Sequence, residues 1–138
     1  MTAKKTLGRQ DILKADDLGI EMVEVPEWGG VVRVRGLTGE ERDLWESEVA
    51  DARYGENRQG QPVILRNARA RLVARCVVDE DGKRVFRDAD IKALGQKSGR
   101  ALDRVFDVAA ALSGISEAEV EDIRKNLRAA SSGNSPSD

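Results

Sequence analysis

Residues 23–46 read VEVPEWGGVVRVRGLTGEERDLWE, and this stretch decides the fold. Two runs of alternating apolar and polar residues flank a turn that contains Pro26 and the Gly29–Gly30 pair. Alternation with a period of two is typical of a strand with one buried face, and proline and glycine mark a connection between strands. The stretch therefore predicts an antiparallel β-hairpin over residues 20–35. Its second strand places Val32 and Val34 on one face, and Val31, Arg33 and Arg35 on the other.

A helix start follows the hairpin directly. Thr38-Gly-Glu-Glu41 has the form of a capping box, in which the hydroxyl and the carboxylate each accept a hydrogen bond from a backbone N–H of the first turn. The pattern predicts a helix that runs to about Tyr54. Its predicted buried stripe consists of Leu44, Trp45, Val49 and Ala52.

The remaining segments favour short helices. Apolar residues at helical spacing predict helices over 63–77, over 102–112 and from the second capping box, Ser116–Glu119, to about residue 127. The predicted class is α+β: a small N-terminal antiparallel hairpin packed on a bundle of four to five short helices. The segment near 77–86 predicts either a second hairpin that joins the first or a simple helix end. We expect a flexible leader at 1–9, one domain at 10–130 and a disordered tail at 131–138.

The composition argues against catalysis and against a bound cofactor. The chain of 138 residues has no histidine and one cysteine, so it lacks the commonest general base, the commonest metal ligand and any multi-thiolate site. Cys76 lies within an apolar helical pattern and is interpreted as a core residue. No glycine-rich phosphate loop is present, and Asp79-Glu-Asp-Gly82 lacks the ligand spacing of a calcium loop, so no metal or cofactor is expected.

The sequence also predicts a cytoplasmic location. The charged N-terminus has no apolar run behind it, which argues against a secretory signal, and no apolar run is long enough to span a membrane.

Charge is distributed unevenly along the chain. Residues 40–51 carry six acids and one base, a local net charge of −5, whereas residues 57–78 carry five arginines and no acid, a local net charge of +5. These segments could pair within one chain or between copies, so self-association is one prediction. Nucleic-acid binding by the arginines is an alternative, but the chain is slightly acidic overall, at −2, and no aromatic residue interleaves the arginines.

Three groups of residues are candidates for contact with a protein partner. Trp28, in the hairpin turn, either covers the core or is an exposed anchor, since tryptophan is enriched at binding hot spots. The arginines of the basic segment could contact an acidic surface, and the apolar stripe of the last helix could form part of a groove. The candidates are Trp28; Arg66, Arg69, Arg71 and Arg75; and Val120, Ile123 and Leu127.

In the order of its motifs, the chain resembles the tail assembly chaperones of long-tailed, siphovirus-like phages and prophages. The similarity lies in the hairpin and capping box of 23–43, the segment 71–86 with its Asp-Glu-Asp-Gly turn, the segment 88–94 and the C-terminal features at 112–117 and 125–126. It covers roughly residues 10–127.

The resemblance implies a non-enzymatic role in virion assembly. Members of this family bind the tape measure protein during assembly of the tail tube and leave before the virion is complete. The resemblance thus implies the tape measure protein as partner, with the major tail protein as a second candidate. No binding residues transfer from the family position by position. Two alternatives remain at this point: a structural component that stays in the particle, such as a head–tail connector or tail completion protein, and a small nucleic-acid-binding module.

Overall fold

The computed structural model describes residues 4–54 and 66–133, with side chains described for 4–52 and 66–125. The described chain is α+β with an N-terminal hairpin, which confirms the predicted class. The helices and strands, in chain order, are α1 (Arg9–Lys14), β1 (Ile20–Val25), β2 (Gly30–Arg35), α2 (Gly39–Tyr54), α3 (Ala68–Cys76), β3 (Val77–Val78), α4 (Ile91–Leu94), α5 (Gly99–Leu112) and α6 (Glu117–Gly133).

The three strands form one antiparallel sheet in the order β1-β2-β3. Val23 pairs with Val32, and Val25 pairs with Gly30 at the closed end of the hairpin. The connection is a 3₁₀ turn that ends at Gly29, whose φ of 78° lies in the left-handed region that favours glycine. One face of the hairpin is buried, because the side chains of Val23, Val25 and Val34 point into the core.

The second predicted hairpin is present in a short form. Val77 and Val78 pair with β2, and the chain then turns at Gly82, which has a φ of 81°. The returning arm contributes one isolated bridge, between Val78 and Arg84.

The core lies between the sheet and two central helices. α5 packs against the buried face of β1 and β2 and also against α3. Phe106 of α5 is almost wholly buried, and its ring centroid lies 6.4 Å from that of Trp45 of α2. α3 is buried nearly all round, including Leu72, Val73 and Cys76, so it occupies the middle of the domain and not its surface.

The first capping box forms as predicted. The backbone N–H of Glu41 donates to Thr38 Oγ1 at 3.2 Å, and the N–H of Thr38 donates to Glu41 Oε1 at 3.0 Å. The predicted stripe of α2 is wrong at Leu44, which is 47% exposed, whereas Trp45 is 2% exposed. At 100° per residue, Leu44 points about 100° away from Trp45, and only one of the two can face the core.

Several predicted boundaries differ from the structure, and one of them is the start of α5, which lies at Gly99 and not at residue 102. The helix predicted over 63–77 begins at Ala68, because Asn67 adopts a left-handed conformation with a φ of 55°, and Val77 is already strand. The start of that prediction, at 63–65, lies outside the described residues. α6 continues to Gly133, three residues into the segment that composition predicts to be disordered, and residues 134–138 also lie outside the described chain.

The carboxyl end of α5 is a packing junction. Gly114, with a φ of 75°, ends the helix, and the N–H of Ile115 donates to the carbonyl of Ala110 at 2.9 Å, as in a Schellman motif. Ser113 connects this end to the β2–α2 link, since its Oγ accepts from the N–H of Leu37 at 2.9 Å. A Cβ on Gly36 would lie 2.6 Å from the carbonyl oxygen of Leu112, so only glycine fits this approach.

Candidate protein-interaction surface

Two of the predicted contact arginines are held inside the protein by one acid. Arg75 donates to both carboxylate oxygens of Glu48, at 2.6 and 3.1 Å, and Arg71 donates to Glu48 at 2.9 Å. The side chain of Arg75 is only 4% exposed. The acidic and basic segments therefore pair within the chain at these positions, and Arg75 is not offered to a partner in this packing.

Arg69 of α3 belongs to a cluster in which one carboxylate, that of Asp103, joins three helices. Arg69 donates to Asp103 of α5 at 2.8 Å, and Arg124 of α6 donates to the same carboxylate at 2.9 Å. Burial alone would raise the pKa of Asp103, but the hydrogen bonds from Arg124 and Arg69 outweigh it and lower the pKa. The same Arg124 also pairs with Asp107 at 2.7 Å, so this cluster fixes α6 on α5.

The fourth arginine, Arg66, is exposed, and its backbone carbonyl accepts from Arg71 Nε at 2.8 Å. The four arginines therefore do not form a continuous cationic stripe on one exposed helix face. Such a stripe is the electrostatic footprint that a phosphate backbone requires.

The predicted stripe of the last helix faces inward. Val120 and Ile123 are each 9% exposed and belong to the core, as do Leu102, Val105 and Phe106 of α5. The groove that these two helices could have presented is therefore filled by the chain itself. The side chain of Leu127, the third candidate, lies outside the described residues.

Trp28 lies at the end of the hairpin turn and is half-buried, packed against the edge of the core. The neighbouring Glu27 forms an ion pair with Arg104, and this contact connects the hairpin turn to α5. Of the two interpretations of Trp28, a cover for the core fits this position better than a free anchor.

The described residues contain no cluster of metal-ligating side chains, and the cysteine among them is buried. No group of three or more histidine, cysteine, aspartate or glutamate residues among them could hold a metal ion. Cys76 is fully buried, and this burial raises the pKa of its thiol to about 12, which keeps it protonated and unreactive. Within the same part of the chain, no helix is both long and apolar enough to cross a membrane.

One exposed apolar surface lies on the outer face of the hairpin. Ile20 and Met22 of β1 and Val31 of β2 are 51%, 52% and 55% exposed. The strand register places Met22 opposite Arg33 and Glu24 opposite Val31 on this same side. We call this the outer hairpin face, and it consists of Ile20, Met22, Glu24, Val31 and Arg33.

The sequence pattern does not by itself indicate the outer hairpin face as a site. The alternation in 31–35 assigned Val31 and Arg33 to the face opposite the core, but it could not show that this face stays uncovered. In the described chain, β1 and β3 are the edge strands of the sheet, and α5 packs on the buried side of β1 and β2. A sheet with one open face that carries exposed valine, isoleucine and methionine is a candidate binding surface.

The fold is similar to that of the solved tail assembly chaperone of bacteriophage HK97, with a TM-score of 0.52 and 22% identity, over 75% of this chain and 90% of that chain. At this identity the likeness concerns the fold alone. No curated protein matches the chain significantly.

The sequence itself matches a family model. The model, described as phage tail assembly chaperone, covers residues 9–126. This range includes the hairpin, the outer hairpin face, both capping boxes and the central helices. The match thus spans most of the chain and agrees with the resemblance seen in its motifs, so the chain belongs to the phage tail assembly chaperone family.

Proposed function

We propose that this protein acts as a non-enzymatic chaperone that binds the tape measure protein while the tail tube is assembled. The observation that carries the proposal is the family match over residues 9–126. We further propose that the protein works in the cytoplasm of the bacterial host, that it is absent from the finished virion, and that the major tail protein is a second partner.

The outer hairpin face is the surface that we assign to the tape measure protein. Ile20, Met22 and Val31 together offer apolar area that the chain leaves in water, and burying such area is the main favourable term in association. Glu24 and Arg33 on the same face would fix the register of a partner that carries both apolar and charged side chains. A long partner with repeated apolar stripes supplies many such segments, so several copies could bind along it.

The test is co-purification of the tagged chain with the tape measure protein of the same phage, read by mass spectrometry. The wild-type chain should retain the tape measure protein, and Met22→Asp should lose most of it, by about tenfold or more, because a charge replaces an apolar contact. The matched control is Val85→Asp, since Val85 is also 52% exposed but lies on the arm after the second turn. Circular dichroism of each variant establishes that it is folded.

The outcomes separate the proposal from its alternatives. Retention of the tape measure protein by the wild type and by Val85→Asp, but not by Met22→Asp, supports both the function and the surface. Equal retention of the tape measure protein by all three proteins overturns the assignment of the outer hairpin face as the binding surface. Stoichiometric presence of the chain in purified virions would favour a structural component, and release of bound DNA on raising the salt concentration would favour a nucleic-acid-binding module.

A further inference from the structure

The free edge of β1 carries backbone groups that the sheet does not use. The N–H of Gly36 donates to the carbonyl of Gly19 at 3.0 Å, and in an antiparallel ladder such hydrogen-bonded pairs recur at every second residue. The N–H and C=O groups of Ile20, Met22 and Glu24 therefore point away from β2. None of these groups has a hydrogen-bond partner among the described residues. We call this row of backbone groups the β1 edge.

The opposite edge of the sheet is closed by the chain itself. β3 has only two residues, and the returning arm pairs with its outer side: the N–H of Val85 donates to the carbonyl of Val77 at 3.1 Å, and the N–H of Asp79 donates to the carbonyl of Lys83 at 2.8 Å. Proteins protect exposed edges with short strands, bulges, proline or charged side chains, especially lysine. β1, by contrast, has six residues in an unbroken register, with no proline and no lysine. The sheet is thus open to a further strand on this side.

The charge along the β1 edge is negative throughout. Residues 16–25 carry four acids and no base, a net charge of −4. All four acids are exposed, and none of them forms an ion pair among the described side chains. They are Asp16, Asp17, Glu21 and Glu24. Pairing between two copies of this edge would place like charges side by side, whereas a strand that carries bases would neutralise them. The charge therefore favours a cationic strand as the occupant.

We propose that the β1 edge binds a cationic, extended segment of the partner protein as an added strand of the sheet. The inference rests on the proposed function, in which that partner is the tape measure protein, and it specifies the kind of segment that is recognised. Its backbone hydrogen-bonds to Ile20, Met22 and Glu24, its apolar side chains extend the outer hairpin face, and its lysines or arginines meet Glu21 and Glu24. Because main-chain hydrogen bonds supply much of the affinity, one edge can accept many segments of a long partner.

Amide hydrogen exchange of the isotope-labelled full-length protein, followed by NMR, tests the β1 edge directly. In the free protein, the N–H groups of Glu21 and Val23 should exchange slowly and those of Ile20, Met22 and Glu24 quickly, because only the former bond to β2. The probe is a short synthetic peptide of alternating valine and lysine. At saturation it should slow exchange at Ile20, Met22 and Glu24 by about tenfold or more. A peptide with glutamate in place of lysine is the charge control and should bind at least about tenfold more weakly.

Two variants at one position separate the backbone contribution from that of the side chain. Glu24→Ala removes the carboxylate and keeps the N–H, whereas Glu24→Pro removes both, and proline is tolerated on an edge strand where the N–H faces solvent. Glu24→Pro should bind the valine–lysine peptide about tenfold or more weakly than Glu24→Ala, as measured by fluorescence anisotropy. The matched control is Glu80→Pro against Glu80→Ala, in the exposed turn after β3, and these two should bind equally. Circular dichroism establishes that each variant is folded.

The outcomes decide the proposal separately from the proposed function. Protection of the three outward N–H groups together with weaker binding by Glu24→Pro supports it. A valine–lysine peptide that does not bind, that binds without protecting these groups, or that binds Glu24→Pro and Glu24→Ala equally overturns it. If Glu24→Pro does not fold, the exchange measurement on the wild type decides.

Co-purification with the tape measure protein uses the same pair of variants. If the wild type retains the tape measure protein and Glu24→Pro retains it as well as Glu24→Ala does, the β1 edge is overturned and the function stands. If the wild type does not retain it, the proposed function fails, and the peptide measurements still decide whether the edge accepts a cationic strand.

Discussion

Arg35 at the end of β2 and Glu41 in the first turn of α2 are joined by two hydrogen bonds, of 2.7 and 3.0 Å. The same carboxylate accepts from the N–H of Thr38, so one side chain both caps the helix and attaches it to the sheet. This relationship sets the angle at which α2 leaves the hairpin, and it gives the fold a measurable dependence on pH.

The first prediction concerns the charge on Glu41. Burial would raise its pKa, but the hydrogen bonds from Arg35 and Thr38 outweigh burial and lower it from 4.5 to about 2. A carboxyl with a lowered pKa stabilises the fold above its unfolded pKa, and this contribution is lost as the pH falls from about 4.5 to about 2. Glu41→Gln keeps a capping side chain but removes the charge, and should cost about 2 kcal/mol in unfolding free energy at pH 7.

Urea denaturation at several pH values tests this expectation. The stabilities of the wild type and Glu41→Gln should converge toward pH 2, since the wild-type carboxyl is then protonated as well. Glu40→Gln, in the same helical turn but exposed, is the matched control and should differ little from the wild type. If the free energies of unfolding of Glu41→Gln and the wild type differed by the same amount from pH 2 to pH 7, the charge of Glu41 would not be the source of the stabilisation.

The second prediction concerns the buried guanidinium of Arg75. Glu48→Ala removes both of its carboxylate contacts and leaves a 4% exposed cation without its partner. Removal of one member of a buried ion pair costs about 3–5 kcal/mol, because the remaining charge stays desolvated. Arg75→Met in the Glu48→Ala background removes that charge and should recover at least half of the loss.

A double-mutant cycle measured by urea denaturation separates these contributions. Glu46→Ala is a suitable control, because Glu46 pairs with Arg42 on the surface, with a side chain that is 58% exposed, and should change stability by less than about 1 kcal/mol. If Arg75→Met made Glu48→Ala worse, the buried charge would not be the source of the instability.

The third prediction concerns the approach of Gly36 to the end of α5. A Cβ at this position would lie 2.6 Å from the carbonyl oxygen of Leu112, and backbone cannot yield as a flexible side chain does. Gly36→Ala should therefore destabilise the fold by about 2–3 kcal/mol through overpacking. Gly30→Ala, at the start of β2, has no atom within 4 Å of the added Cβ and should change stability by less than about 0.5 kcal/mol.

Thermal unfolding followed by circular dichroism compares the two alanine variants. Gly36→Ala should unfold at a clearly lower temperature than Gly30→Ala, because neither glycine has a positive φ but only the methyl group of Gly36→Ala meets backbone. Equal melting temperatures would show that the link between β2 and α2 shifts to accommodate the methyl group.

Local patterns were sufficient to predict much of the fold. The hairpin depends on alternation and on Pro26 and Gly29, and the first capping box depends on Thr38 and Glu41, so each is decided by residues close in sequence. The start of α3 was predicted wrongly, because the hydrophobic pattern does not reveal the left-handed backbone conformation of Asn67. The prediction of the buried stripe of α2 was wrong at Leu44, because two adjacent apolar residues, Leu44 and Trp45, do not indicate which of them faces the core.

The candidate site was harder to predict, because exposure is a property of the assembled domain. Val120 and Ile123 have the spacing of a free stripe, but α5 and the rest of the core cover them. The outer hairpin face, by contrast, consists of residues whose exposure follows only from the absence of a covering element on that side of β1 and β2 in the described chain.

By itself, the sequence determined the fold class, the hairpin, the helix caps, the lack of histidine-based chemistry and the resemblance to tail assembly chaperones. The tertiary structure decided which charges pair and which surfaces stay open. The reason is that hydrogen bonds in turns and caps connect residues a few positions apart, whereas Glu48 meets Arg75, and Asp103 meets Arg69 and Arg124, only after the helices have packed. Pairing of distant charges, and therefore the choice between an internal contact and a partner contact, requires the complete fold.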